Sequence, residues 1–477
     1  MLLWQKDYLR MNRREFVAGS AAVMLMGFKS PEEFPVVRVA KGKRKFQSPA
    51  IEKTIERLSS KIADKELAWM FENCFPNTLD TTVEFSYIDG RPDTFVITGD
   101  IDAMWLRDST AQVWPYIPLA KGAKDIRDLL IGVVNRQVKC ILFDPYANAF
   151  YKDAKKGEWF SDHTDMKPGI HERKWEIDSL CYPIRLSYGL WKQAGETSIF
   201  DEKWYEACLS IYRTFVEQQR LEDRGPYRFG RTTAWSTDTV PGNGYGNRTL
   251  PNGMIHSIFR PSDDATVYPY LIPANFFAVV SLRQAAEILV HIYNKKEEAK
   301  RFEDLAGQVE AAIYKYGVSK HPVMGEVLVM EADGFGNVLF QDDANVPNLL
   351  ALPYLGAVDA SDPLYKRTRA FVLSSYNPYF FQGKVGEGVG SPHTLENQIW
   401  PIGVIMRAMT SNSDEEISAQ LKILKSTHAG TGFMHESFDK DDSNKFTRKW
   451  FAWANTLFGE LILKIESERP HILKKKL

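Results

Sequence analysis

Cysteine and histidine are both scarce in this chain. Its 477 residues include four cysteines, Cys74, Cys140, Cys181 and Cys208, all in the first half and none in C-x-x-C spacing. That excludes a paired-thiol redox motif and a zinc ribbon. Four cysteines allow three pairings and the spacing selects none, so they read first as small buried apolar groups and second as disulfides. The nine histidines are scattered without an H-E-x-x-H run, and His435-Glu436 alone is too little for a zinc site. Asp439-Lys440-Asp441-Asp442-Ser443-Asn444 opens like a calcium loop, but Asn444 stands where the turn glycine belongs and Trp450 where the bidentate glutamate belongs. No metal or other cofactor is expected. Excess charge is missing too: 60 basic against 61 acidic side chains leave a net charge of -1. Such a chain lacks the electrostatic footprint that nucleic acid or an anionic membrane surface requires, and a neutral substrate fits it better. There is no G-x-S-x-G elbow, and Gly386-Glu387-Gly388-Val389-Gly390 lacks the spacing of a dinucleotide site and reads as a flexible glycine loop.

What is present is the composition of a folded protein, with 44% hydrophobic residues. The 12 Trp, 20 Tyr and 28 Phe supply flat faces of the kind on which neutral rings stack. The N-terminus reads as an address. Arg13-Arg14 precedes Phe16 and a short apolar run from Val17 to Gly27, too short to span a bilayer. This layout resembles a twin-arginine export signal, with Met11 as an alternative start, and predicts an exported protein, periplasmic or secreted. Residues 1–30 are thus expected to be a targeting segment, 31–47 a linker, and 48–477 a single catalytic domain without a stable membrane span.

Within that domain helical periodicity dominates, and strand-like alternation is confined to short pieces such as Thr82–Tyr87 and Glu326–Met330. About twelve helical segments are expected, near 48–74, 105–119, 124–143, 177–194, 201–222, 274–293, 296–316, 346–355, 362–374, 394–410, 414–428 and 450–467. Asp201 and Ser413 are candidate N-caps, and Gly195 a helix end. Polar clusters of unusual composition precede every second helix: Gly99–Asp108, His171–Asp178, Phe259–Asp264, Gln341–Asn345, Gly386–His393 and Gly432–Glu436. If successive helices are antiparallel, these six loops converge on one end. Six hairpins closed into a ring predict an all-α-dominated (α/α)6 toroid with minor β pieces in its loops.

Carboxylates in apolar settings carry the most chemical information. Glu436 follows Gly432-Phe433-Met434-His435 and precedes Phe438, and Asp263-Asp264 lies between Arg260 and the apolar stretch from Tyr268. Two adjacent acids near a bundle axis are not both comfortably ionised, and separated proton affinities suit acid and base roles. A buried acid capping the following helix accounts for either composition equally well.

The strings Asp100-Ile101-Asp102-Ala103-Met104-Trp105-Leu106-Arg107-Asp108-Ser109, Phe259-Arg260-Pro261-Ser262-Asp263-Asp264-Ala265-Thr266 and Gly432-Phe433-Met434-His435-Glu436-Ser437-Phe438, with Phe451-Ala452-Trp453-Ala454-Asn455 downstream, resemble glycoside hydrolase family 125. The likeness runs from about residue 50 to the C-terminus. It implies a metal-independent, exo-acting α-1,6-mannosidase that inverts the anomeric centre and acts on mannose-containing glycans. It also implies Asp263 as general acid, with Asp264 in reserve, and Glu436 as general base. Asp102, Arg107 and Asp108 would then bond sugar hydroxyls, and Trp105 would stack on the ring or simply pack. Glu172, Lys174, Asp178, Arg260, His393 and Trp400 are further candidates for binding substrate. An inverting exo-glycosidase of another α-glycoside, or a catalytically silent glycan-binding protein that keeps the pocket, fits the same residues.

Overall fold

Two kinds of helix alternate along the chain, and their composition decides where each one sits. In the computed structural model, which describes residues 34–477, Arg38–Leu477 form one body. The targeting segment, the arginine pair and Met11 lie outside the described residues. The chain enters through α1 (Pro49–Ser59) and α2 (Lys65–Cys74). Five helices buried on nearly every side follow, each paired in sequence with an amphipathic one except the last. They run α3 (Leu106–Val113) and α4 (Lys124–Phe143), α5 (Ile177–Gly189) and α6 (Glu202–Gln219), then α7 (Ile272–His291) and α8 (Lys296–Tyr316). After α9 (Pro363–Val372) come α10 (Pro401–Met409) with α11 (Asp414–Ser426), and finally α12 (Ala452–Glu468).

The apolar helices α5, α7, α10 and α12, with the short α3 whose polar groups are themselves buried, form the inner ring, and the amphipathic helices cover it with their polar faces outward. Inner helices pack α3 on α5, α5 on α7 and α10 on α12, and α12 returns to α3 and α2, closing the ring between the two ends of the chain. This is the (α/α)6 toroid expected from the loop pattern. Asp201 caps α6 through Trp204 N at 2.9 Å, Ser413 caps α11 through Glu416 N at 3.2 Å, and Gly195 takes the left-handed conformation at φ 70°.

Several boundaries differ from expectation. Residues 48–74 are two helices, because Asp64 caps a fresh start by accepting from Leu67 N. Residues 346–355 are buried but run as successive turns. Pro347 and Pro353 have no N–H to continue a ladder, and the Asp342 carboxylate takes the Leu349 and Leu350 N–H groups instead. The inner helix read from 394 begins only at Pro401. Glu387–Val389 is not a flexible glycine loop but a strand paired with Phe380–Gln382. From Arg38 onward, the segment read as a linker lies on the body, with Arg38 bridging Glu52 and Asp80 at 2.7 Å each. All four cysteines are free and buried.

Short strands precede three inner helices and tie their starts to neighbouring loops: Met104–Trp105 before α3, Tyr270–Leu271 before α7, and Gln398–Ile399 before α10. The ends of the inner helices that open the site are therefore fixed by backbone ladders.

Candidate active site

Five of the six polar loops line one open cleft of about 430 Å³, its mouth included, and the sixth, His171–Asp178, stands behind it through the bonds of Glu176 and Asp178 to Arg107. The organising residue is Arg107 in the first turn of α3, buried to 3% exposure. Its Nη1 donates to Glu176 Oε2 at 2.6 Å and Asp178 Oδ2 at 3.1 Å, its Nη2 donates to Asp263 Oδ1 at 2.9 Å, and Asp108 Oδ2 lies 3.5 Å from its Nε. One guanidinium thus serves four carboxyl groups in a nearly dry setting, and four negative charges cannot all persist there. Burial pushes Glu176 well above the usual carboxylate range and raises Asp108 and Asp178 to about 6. For Asp263, burial also opposes the charge, but Arg107, a hydrogen bond from Glu176, Lys174 and His393 together hold it well below that range.

Asp263 sits on a tight loop. Asp263 N donates to Arg260 O at 2.9 Å and Arg260 N to Asp264 O at 2.8 Å, enclosing Pro261, Ser262 and Asp263. This is a three-residue hairpin whose third position turns left-handed, and Asp263 fills it at φ 64° where glycine is the easy choice. The strained backbone aims the side chain at Arg107 and leaves it 23% exposed toward the cavity. Asp264 turns away: it accepts from Ser262 Oγ at 2.9 Å and lies 3.4 Å from His393 Nδ1. Burial alone would lower His393, but Asp264, with Glu436 and Asp263 beyond it, raises the imidazole to about 9. It is a cation at neutral pH.

Glu436 reaches the same cavity from another loop, the one ahead of Ser437–Asp439. Arg448 Nε lies 3.3 Å from its Oε1 and Arg448 Nη1 3.3 Å from Asp100 Oδ1. Aromatic walls complete the cavity. Trp400 is anchored through Nε1 to Thr394 Oγ1 at 2.9 Å and meets Phe451 edge-on, with Trp453 beyond. Trp105 lies edge-on to His171 and carries a buried indole N–H that has no hydrogen-bond partner among the described residues.

Residues 64–463 match the family described as metal-independent alpha-mannosidase (GH125). The chain belongs to that family. It is 41% identical over 464 residues to the "Meiotically up-regulated gene 157 protein" of Schizosaccharomyces pombe, covering 93% of this chain and 91% of the other. It is also 41% identical to a Streptococcus pneumoniae metal-independent alpha mannosidase solved as a non-productive complex with alpha-1,6-mannobiose. That match has a TM-score of 0.85 and covers 89% of this chain and all of the other. A bacterial glucoamylase complexed with acarbose shares the fold at 15% identity and a TM-score of 0.53, covering 88% of this chain and 59% of the other.

In this mannosidase, seven of the residues singled out from sequence line the cavity: Trp105, Arg107, Asp108, Asp263, His393, Trp400 and Glu436. The others lie elsewhere. Asp102 is largely exposed and pairs with Lys156 at 3.1 Å, outside the cavity lining. Glu172 pairs with Arg231 at 3.0 Å, and Arg260 with Glu331 at 2.6 Å, bracing the loop that carries Asp263. Lys174 donates to the Asp263 carbonyl at 3.0 Å and to Asp238 at 2.8 Å, and Asp178 lies behind Arg107. Asp264 is off the lining. Sequence reasoning missed Glu176, Asn148, Asn345 and Arg448. Glu176 lay inside a highlighted string, and its position two before Asp178 was the available signal. Arg448, in a basic surface-like run, offered none.

Proposed function

We propose that this mannosidase removes single mannose units from the non-reducing ends of α-1,6-linked, mannose-terminated glycans with inversion, Asp263 acting as general acid and Glu436 as general base. The observation that carries the reading is that these two carboxyl groups face one cavity from different loops, each beside its own arginine. An inverting glycosidase needs a proton donor against the leaving oxygen and a separate carboxylate that activates water from the other face of the ring. Asp108 and Arg107 supply an acceptor and a donor for a terminal sugar, and Trp105, Trp400 and Phe451 supply aromatic walls around it. The alpha-1,6-mannobiose in the Streptococcus pneumoniae complex supports the α-1,6 linkage. The basic-then-apolar N-terminus supports export to the periplasm or beyond. Fractionation of cells carrying either the full chain or its Arg13→Lys, Arg14→Lys double variant tests that: the full chain should leave the cytoplasm and the variant should stay, and equal distribution of the two would refute it.

Proton NMR of the first minutes of α-1,6-mannobiose hydrolysis reads the anomer before mutarotation. Release of β-mannose is expected. Initial α-mannose would require retention and a nucleophilic role for Glu436. Asp263→Asn is expected to slow mannobiose hydrolysis by about 10²- to 10⁴-fold, the usual worth of a general acid or base, and Glu436→Gln by a similar factor. An Asp264→Asn enzyme that fails while Asp263→Asn works would move the acid by one residue.

A further inference from the structure

Arg107 and Asn148 both donate to Asp263 Oδ1, an arrangement that favours the anion, yet a general acid must carry a proton when the glycosidic bond breaks. Glu176 lies at the N-terminal edge of α5, wholly buried, and shares every close donor of the Asp263 carboxylate. Arg107 bonds both, at 2.6 Å to Glu176 and 2.9 Å to Asp263. Asn148 Nδ2 spans both as well, 3.4 Å from Glu176 Oε1 and 3.2 Å from Asp263 Oδ1. Arg107 and Ser179 Oγ, at 2.9 Å, both donate to Glu176 Oε2, which leaves Oε1 as the oxygen free to carry hydrogen. The groups facing Glu176 are then Arg107 from α3, Asp178 and Ser179 from α5, Asn148, and Asp263, with Asp108 beyond Arg107 and Lys174 and His393 beyond Asp263.

We infer that Glu176 is the positioning residue that stores the catalytic proton of Asp263 and passes it across when substrate arrives. This rests on the reading of Asp263 as the acid. In the step, the Glu176 O–H bond breaks as an Asp263 O–H bond forms, and Arg107 and Ser179 stabilise the new Glu176 anion. Asp263 then gives that proton to the leaving oxygen, which keeps the electron pair of the broken C–O bond. Water adds its hydroxyl to the anomeric carbon and its proton to Glu436. Exchange with solvent returns one proton from Glu436 and one to the Glu176–Asp263 pair, so each turnover consumes one water and nothing else.

Glu176→Gln keeps the side-chain volume and cannot pass a proton. The test compares α-1,6-mannobiose, whose leaving group needs protonation, with a dinitrophenyl α-mannoside, whose leaving group does not. On mannobiose kcat is expected to fall by about 10²-fold at unchanged KM, whereas the aryl mannoside loses less than about tenfold. The basic limb of the mannobiose pH profile should move to lower pH, because an Asp263 held beside Arg107 keeps a proton only in more acid solution. Glu176→Asp should recover part of the mannobiose rate. Equal losses on the two substrates, or an undisturbed mannobiose rate, would overturn the inference. Asp263→Asn runs in parallel. If it hydrolyses mannobiose normally, the acid assignment fails, whereas a dead Asp263→Asn beside an unimpaired Glu176→Gln defeats the proton store alone. Should Glu176→Gln not fold, Ser179→Ala carries the test. Losing a donor to the Glu176 anion should raise the basic limb of the mannobiose profile, and an unmoved limb refutes the proposal.

Discussion

Asp263 combines a cavity-facing carboxylate with a left-handed backbone, and the two contributions separate in a pair of substitutions. Asp263→Gly and Asp263→Ala both delete the carboxylate and its bonds to Arg107 and Asn148, so they differ only in a Cβ. At φ 64° that Cβ crowds the following carbonyl, a cost of about 1–2 kcal/mol for an ordinary L-residue. Glycine avoids it but loses about 0.5–1 kcal/mol more chain entropy on folding. The net expectation is a glycine variant more stable than the alanine variant by roughly 0.5–1 kcal/mol, the reverse of their order in a helix or strand. With a melting entropy of about 2.1 cal/mol/K per residue, a body running from Arg38 to Leu477 melts about 1 °C higher for each kcal/mol. Scanning calorimetry of both variants at one scan rate resolves that difference, and both should be inactive on mannobiose. An alanine variant as stable as the glycine variant, or more so, would show that the loop does not hold Asp263 in the left-handed region and that its aim at Arg107 has another origin.

The charge arrangement leads to three further expectations. His393 is raised to about 9 from an ordinary 6.5, so the stability it lends is complete below about 6.5 and is lost as pH rises through 9. Melting temperature between pH 7 and 10 should therefore fall more steeply in the wild type than in His393→Gln, and parallel slopes would contradict the assignment. Arg107→Met strands four carboxyl groups and should cost about 3–5 kcal/mol at pH 7. Because Asp108 and Asp178 take up protons near 6, the same substitution should cost less at pH 5, and a pH-independent loss in thermal melts would argue against the shared guanidinium. Among the described residues no group of three or more His, Cys, Asp or Glu is arranged to hold a metal ion. Activity in EDTA should equal that without it, and a loss restored by calcium or zinc would refute the acid–base scheme.

The toroid was legible because its signal is periodic and repeated. Helix type follows from whether the polar residues fall on one face, as in α8, or are overwhelmed by apolar ones, as in α7. The spacing of six polar clusters then implies which helix ends share a face. Legibility failed where one side chain replaces a backbone partner. Asp342 accepting from Leu349 and Leu350 turns an apolar segment into turns, and Asp64 splits an unbroken periodicity into two helices.

The linear sequence by itself determined the helical architecture, the six loops and the short strings that carry Asp263, Glu436 and Arg107, because each depends on neighbours within a short stretch of chain. Proton placement was decided only by the tertiary structure. Asp263 and Asp264 are chemically alike and adjacent in the chain. They part because a left-handed turn aims one at Arg107, 156 positions away, and the other at His393. Glu176 is placed for the same reason: burial removes the water that would ionise it, and Arg107 from α3 and Asn148 from a loop bring it against Asp263. Local pattern encodes which groups are available, whereas desolvation and long-range pairing, which exist only once the ring has closed, decide which of them holds the proton.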